Sequence, residues 1–413
     1  MGNCKFLKQK KQVKINGEWV DTRSYRYITY CDGSIPCVVI KGGAPNKKVE
    51  INYFKVNSNP IDYRPKIIYL DDEGNGYAEF ESDDSIYIFK ITPMTESLEI
   101  EIKGCNVSGF NFTDYSPHHS LTVSCSSYCR PADVKPFESN NISKLTFKGF
   151  DTSNATTMSL MFSGLDDLES LDVTHFDVSK VTNMHRMFSG CSKLKYIKGL
   201  TNFDVSKVTD MHEMFSGCES IASLDLSGWD VGKVTDMYRM FSWCESLTSL
   251  DLSSWNVSNV TNMNEMFRSC IGLVSLDLSG LDTSSNVTSM VMMFDVCSSL
   301  KSIKGVTNFD VSKVTNMEGM FSGCESLTSL DLSGWDVSNV TNMGYMFNYC
   351  SSLALLDISG WDASNLTKME GMFKNCGSLK TIRMIGCNST TVEKIKAPLR
   401  LGGLLNQVTI ITE

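Results

Sequence analysis

A Met-Phe pair recurs at Phe162, Phe188, Phe215, Phe241, Phe267, Phe294, Phe321, Phe347 and Phe373, in steps of 26 or 27 residues. Nine copies at one spacing confine the chain to a stack of similar units. Each unit is too short to bury its own apolar face, and its neighbours complete it. Most units open with an L-x-x-L-x-L pattern, as at Leu247, Leu250 and Leu252, which alternates like a strand with one buried face. An aromatic column follows at Phe176, Phe203, Trp229, Trp255, Phe309, Trp335 and Trp361, broken by Leu281. Its regularity predicts burial.

The second half of each unit reads as a short helix. A Thr recurs in every copy, usually followed by Asn or Asp, residues that cap helix N-termini. M-x-x-M-F-x-x-C-x-x-L then places Met, Met, Cys and Leu three or four residues apart, on one helical face. The expected fold is therefore an α/β solenoid. It is a leucine-rich-repeat array of about nine 26-residue strand–turn–helix units, preceded by a small β-rich domain. Eighteen of the 22 Met are the paired Met of these units, and eight of the 15 Cys form one column from Cys191 to Cys376. Periodic core demand explains both columns better than a soft-metal array. Unpaired thiols suit a reducing site of folding.

Charge narrows the partners. From Asp151 to Cys376 there are 27 acidic and 14 basic residues, a net of −13, so the remainder carries +4 against a total of −9. An acidic array is a poor nucleic-acid binder. No run of about 18 apolar residues predicts a membrane span, and no apolar stretch follows the charged N-terminus as a signal peptide requires. The five His, His118, His119, His175, His185 and His212, form no nucleophile–base pair or common zinc spacing. The set His118, His119, Cys125 and Cys129 is the nearest to a metal motif, and His185 and His212, at the same helix position in adjacent repeats, read as stacked, exposed repeat variants. The expectation is a non-enzyme without a cofactor.

The units "LSGWDVSNVTNMGYMFNYC" and "FDVSKVTNMHRMFSGC" resemble the BspA-like leucine-rich repeats of bacterial and phage surface proteins. The resemblance covers residues 145–388 and implies a curved, non-enzymatic scaffold used in adhesion or recognition. Residues 1–40, through Trp19, Tyr25, Arg26 and neighbours, are similar to the N-terminal pieces of structural proteins of Bacteroidetes phages.

These readings divide the chain into five parts. Residues 1–40 are an attachment segment, with Trp19, Tyr25, Arg26 and Tyr27 as its contact residues. A β-rich domain spans 41–96, with "DDEGNG" as its hairpin turn. Worn capping rungs, "SLEIEIKG", "SLTVSC" and "KLTFKG", span 97–144. The repeats follow at 145–388. A C-terminal cap spans 389–413, with a helix near 392–397 stopped by Pro398 and "QVTIITE" as a last strand.

The outward strand positions carry Asp172, Lys198, Asp225, Asp251, Asp277, Lys304, Asp331, Asp357 and Arg383 beside a column of Ser. Asp225, Asp251 and Asp277 with Ser223, Ser249 and Ser275 are the candidate ligand-binding set, suited to a glycan or cations. The expected function is that of a phage virion structural protein, a head or tail fibre or decoration protein assembled in the host cytoplasm as a homo-oligomer. Its N-terminus would hold other virion proteins, and its repeats would meet a host-surface glycan or protein. The alternative is a bacterial cell-surface adhesin.

Overall fold

The computed structural model describes residues 142–413 apart from 282–285. Before residue 142 it describes strand backbones and the side chains of a few residues between 38 and 123. The chain divides into two compact units. One is Met1–Val181 with Ile197–Gly199, and the other is Thr182–Tyr196 with Leu200–Glu413.

In the first unit, β1 (Lys5–Ile15) and β2 (Glu18–Tyr30) form a two-stranded antiparallel ribbon. Next come β3 (Cys37–Lys41), β4 (Lys48–Lys55), β5 (Arg64–Tyr69), β6 (Gly76–Glu79) and β7 (Ile86–Thr92). They are followed by β8 (Ser97–Lys103), β9 (Asn106–Phe112), β10 (His119–Cys125) and β11 (Ile142–Phe147). The three worn rungs are β8, β10 and β11. They pair in parallel, with Leu98, Leu121 and Leu145 in one register line. Strands β3 and β6 extend the same sheet, while β5, β4, β7 and β9 form a second. The expected hairpin is only half right. Asp71–Gly76 turns tightly, with Gly74 at φ 78° and its N–H donating to Asp71 O, but β5 and β6 enter different sheets.

The array strands are β12 (Ser170–Asp172), β13 (Tyr196–Lys198), β14 (Ser249–Asp251), β15 (Ser275–Asp277) and β16 (Ser302–Lys304). They continue as β17 (Ser329–Asp331), β18 (Leu355–Asp357), β19 (Thr381–Arg383) and β20 (Thr409–Ile411). In the second unit β14–β16 pair in parallel, and so do β17–β20. In β14, β16 and β17 one central leucine or isoleucine points inward, flanked by polar residues, as the alternating pattern requires.

The expected repeat helices do not form, and the second unit is a parallel β-solenoid rather than a strand–helix array. Within one M-x-x-M-F-x-x-C segment, the N–H groups of Met184, Arg186, Phe188 and Gly190 donate to carbonyls of the next rung, those of Asp210, His212, Met214 and Ser216. The intervening N–H groups of Met187, Ser189 and Cys191 close tight turns onto the carbonyl three residues back. Each segment also holds two residues at positive φ, such as Arg186 and Gly190 (53° and 75°), which an α-helix cannot contain. Three-residue spacing therefore marks successive turns, not a helical face. The Thr column is likewise a ladder and not a set of caps. The Thr235 and Thr341 N–H groups donate to Thr209 O and Thr315 O, and their hydroxyls reach the same carbonyls. The Asn or Asp that follows accepts from the N–H two residues on, as Asp236 does from Tyr238.

The interior is a set of side-chain stacks. Phe188, Phe215, Phe241, Phe267, Phe294, Phe321, Phe347 and Phe373 lie with centroids 5.4–5.9 Å apart and planes within 11°. The offset needed for favourable aromatic stacking follows from rung spacing. Burying each ring favours the stack by about 2–3 kcal/mol. Except for the half-buried Met369, the paired Met of the array are buried, and so are the column Cys and the aromatic column. At the C-terminus α1 (Ser389–Leu401) is capped by Asn388, whose side chain accepts from Thr391 N. Pro398 lies inside this helix instead of stopping it. The final strand forms as expected, with Ile410 opposite Ile382.

Candidate recognition surface

The Ser/Asp strand face points outward, as its pattern predicts. Ser223, Ser249, Ser275, Asp225 and Asp251 are exposed, and Asp277 is half-buried. Strand pairing aligns Ser249 with Ser275 and Asp251 with Asp277. Residues 223–225 lie outside the ladder, so Asp225 is not held in register with the other two. Each carboxylate already holds its own corner. Asp225 Oδ1 accepts from the N–H and hydroxyl of Ser227, Asp251 Oδ1 from Ser253 N, and Asp277 Oδ1 from the N–H and hydroxyl of Ser279. Lys304 Nζ lies 2.6 Å from Asp277 Oδ2. Hydrogen bonds from Ser227 and Ser253 lower the Asp225 and Asp251 carboxyls, and Lys304, then Ser279, holds Asp277 at about 2. The same D-x-S corner recurs at Asp177, Asp204, Asp331, Asp336 and Asp362. Much of the array's negative charge is thus turn-forming.

A second surface comes from the turns, and the helical reading hid it. The residue before the column Cys always has positive φ. In four units it is Gly, at 164 (before Leu165, which holds the Cys place), 190, 217 and 323, and in two it is Ser269 and Asn375. Trp243, Val296 and Tyr349 take that place at φ 62°, 60° and 58°. A left-handed backbone costs an L-residue roughly 1–2 kcal/mol, and β-branched or bulky residues are least suited to it. These three are 47%, 40% and 52% exposed, so interior packing does not repay the cost. They fall on alternate rungs, roughly 10 Å apart at the usual strand spacing. Tyr345, 40% exposed, sits on the rung of Tyr349, and its ring lies where a Cβ on Gly371 would be, 2.5 Å from Cε1. Between Trp243 and Val296, Glu265 holds both Arg239 and Arg268 at 2.8 Å, and Arg268 reaches Asp295 at 3.2 Å. The signal available in the sequence was "MFSGC", with Gly in the middle of the supposed helix, and its replacement in "MFSWC" and "MFNYC".

The buried columns carry no exposed chemistry. Trp229, Trp335 and Trp361 donate Nε1–H to the carbonyls of Leu200, Val306 and Leu332 at 2.9–3.0 Å. The Cys thiols donate to the carbonyl of the Phe one rung back, as Cys350 does to Phe321 O at 3.1 Å. Burial pushes the Cys270 and Cys376 thiols up to about 12. His185 and His212 stack as expected but are less exposed than expected. Both are half-buried, their rings are 4.6 Å apart and 6° from parallel, and Asp210 lies against both. In the first unit a cleft of about 510 Å³ is lined by Phe147, Phe150, Phe176, His175, Asp151 and Asp172. The side chains of Trp19, Tyr25, Arg26 and Tyr27, and the set formed by His118, His119, Cys125 and Cys129, lie outside the described residues.

A family model described as "Mycoplasma protein of unknown function, DUF285" matches residues 134–221, 195–304 and 271–385. The chain belongs to this family. The DUF285 matches run from 134 to 385, through the repeats and the rung before them, and the description attaches no activity to them. Among curated proteins, none matches. Among solved structures, the Toll–Spatzle complex of Drosophila is similar at 13% identity, with a TM-score of 0.23, over 84% of this chain and 52% of that one. The DUF285 chain thus spans about half the length of that chain, and a likeness so low carries no argument.

Proposed function

We propose that the protein is a non-enzymatic phage virion structural protein that presents its repeat array to the host surface for adhesion. The observation that carries this reading is the exposed row Trp243, Val296 and Tyr349, joined by Tyr345. Bulky residues at strained, solvent-facing turns weaken the fold, so their benefit lies outside it. Trp and Tyr are also the residues that most often dominate binding energy. A linear glycan lying along the stack would meet an apolar side chain at every second rung, with the Arg239, Glu265 and Arg268 network beside it.

The N-terminal ribbon supports the attachment role. A lone two-stranded ribbon is marginal in water and needs a partner surface. Its register sets Lys8 opposite Tyr27, Lys10 opposite Tyr25 and Lys14 opposite Trp19, a basic and aromatic composition suited to an interface with an acidic partner.

The test compares two variants in adhesion to host cells. Trp243→Asn with Tyr349→Asn should reduce adhesion several-fold, while Asp225→Asn, Asp251→Asn and Asp277→Asn together should leave it near wild type. The opposite pattern would move the binding face to the Ser/Asp strands. Unchanged adhesion in both folded variants would reject binding by the array. Mass spectrometry of purified virions tests the location, and detection only at the bacterial surface would favour the adhesin alternative.

A further inference from the structure

We propose that His185, Asp210 and His212 form a binding site for a divalent transition-metal ion of the zinc, nickel or cobalt class. The chain has five His in 413 residues, and two of them occupy the same place on adjacent rungs. Asp210 Oδ1 lies 2.7 Å from His212 Nδ1, and its Oδ2 lies 3.8 Å from His185 Nδ1. One ligand atom from each of the three residues lies within 4.8 Å of the others.

The turn does not need histidine at either place. The same Asn or Asp corner forms on other rungs with Tyr238, Asn264, Glu318 and Gly344 there, each donating its N–H to the Oδ1 two residues back. What the two His add is imidazole nitrogen beside a carboxylate. That donor set suits borderline divalent ions. Calcium and magnesium favour all-oxygen sites, and copper(I) favours sulfur.

The backbone beneath the site is rigid on the scale that matters. Met184 N–H donates to Asp210 O and Arg186 N–H to His212 O, both at 2.9 Å, so the ladder holds the two rungs together on either side of His185. An ion with ligands at about 2.1 Å brings them to roughly 3.4 Å from one another. Against that spacing the Asp210–His212 pair, at 2.7 Å, would open slightly, and the wider pairs, within 4.8 Å, would close by about an ångström. Asn183 Oδ1, 2.9 Å from His185 Nδ1, lies close enough to act as a supporting acceptor or a further ligand. The side chains of His185, Asp210 and His212 keep 13%, 28% and 26% of their surface, which leaves a path for the ion and room for water to complete its sphere. A neutral ring that gives one nitrogen to the ion carries its hydrogen on the other, and only an imidazolium releases a proton to solvent.

The experiment is calorimetric titration of the full chain with Zn²⁺ near neutral pH, in two buffers of different ionisation enthalpy. A site of this kind binds one ion, and comparing the two buffers separates the heat of binding from that of proton transfer. His185→Gln and His212→Gln should each weaken binding at least ten-fold. Asp210→Asn should weaken it as well while keeping the Oδ1 that holds the turn. Circular dichroism melts of the same variants confirm that the solenoid is intact. No Zn²⁺ binding by the wild-type chain, or equal binding by a folded variant lacking both His, overturns the proposal.

Discussion

At the residue scale, side-chain donors tie one rung to the next. Trp335 Nε1 donates to Val306 O at 2.9 Å, whereas Trp255 reaches Leu226 O at 3.4 Å. The Val306 and Leu226 carbonyls keep the N–H groups of Phe309 and Trp229, so losing the indole N–H removes one hydrogen bond, about 0.5–1.5 kcal/mol, and a long bond is worth less. Trp335→Phe should therefore lower unfolding free energy by about 1 kcal/mol in denaturant titrations, beyond the cost of the smaller ring, and Trp255→Phe by less. Equal losses would mean that ring volume, not the indole N–H, sets the cost. The thiol column makes a second prediction. Burial raises these thiols, and the thiolate is the reactive form. The eight column Cys should resist thiol reagents in the native protein and react in denaturant. Rapid native labelling of those residues would contradict their burial. Cys387 extends the Trp pattern with different chemistry, because its Sγ donates to Ile358 O at 3.3 Å, as the indoles do on earlier rungs.

Under the proposed adhesion role, the turn is the element on which stability and binding pull in opposite directions. Asn tolerates the left-handed region, and Asn375 already occupies that column. Tyr349→Asn should leave thermal stability unchanged or raise it by up to about 1 kcal/mol while reducing adhesion. A clear loss of stability would show that the ring contributes to packing. Gly199 is the converse case. Its φ is 96°, and a Cβ there would lie 2.5 Å from the backbone Cα and N of Thr174. Gly199→Ala should destabilise by more than about 2 kcal/mol, because strain and backbone contact act together. A melting temperature unchanged by this substitution would refute that geometry.

For the whole molecule, acid is the expected weakness. The carboxyls of Asp225, Asp251, Asp277, Asp310 and Asp362 are lowered in the folded state by their corner serines, or, for Asp277, first by Lys304. A carboxyl lower in the folded than in the unfolded chain stabilises the fold where it is charged. That contribution is complete above the ordinary value near 4 and is lost as pH falls toward 2. Melting temperature should therefore be nearly flat from pH 7 to pH 5 and decline below pH 4. A flat profile down to pH 2 would mean these corners contribute nothing through charge. The ends of the chain give another test. A chain beginning at residue 32 loses the β1–β2 ribbon but keeps β3, whose buried Val38 and Ile40 sit between β6 and β8, and it should still melt cooperatively. Under the proposed virion role it should also fail to join the particle. Normal incorporation would remove the attachment role from the β1–β2 ribbon.

The repeat period determined the stacking, the buried Met, Cys and aromatic columns, the worn leading rungs and the closing strand. Each of these depends only on which residues recur at a fixed place, and a solenoid converts recurrence directly into contact. The path of the chain between those places was decided by tertiary structure. Met184 and Met187 satisfy a three-residue spacing in a helix or in a turn. The choice rests on whether the N–H groups of Arg186 and Phe188 bond within the segment or to the neighbouring rung. A single unit contains no information about its neighbour's carbonyls, so one copy read alone favours the helix. The candidate sites divide in the same way. The outward Ser/Asp face was legible from alternation. The stacking of His185 on His212 followed from their shared place in adjacent repeats, whereas Asp210 beside both and the row of Trp243, Val296 and Tyr349 became visible only when left-handed turns and adjacent rungs set those side chains side by side.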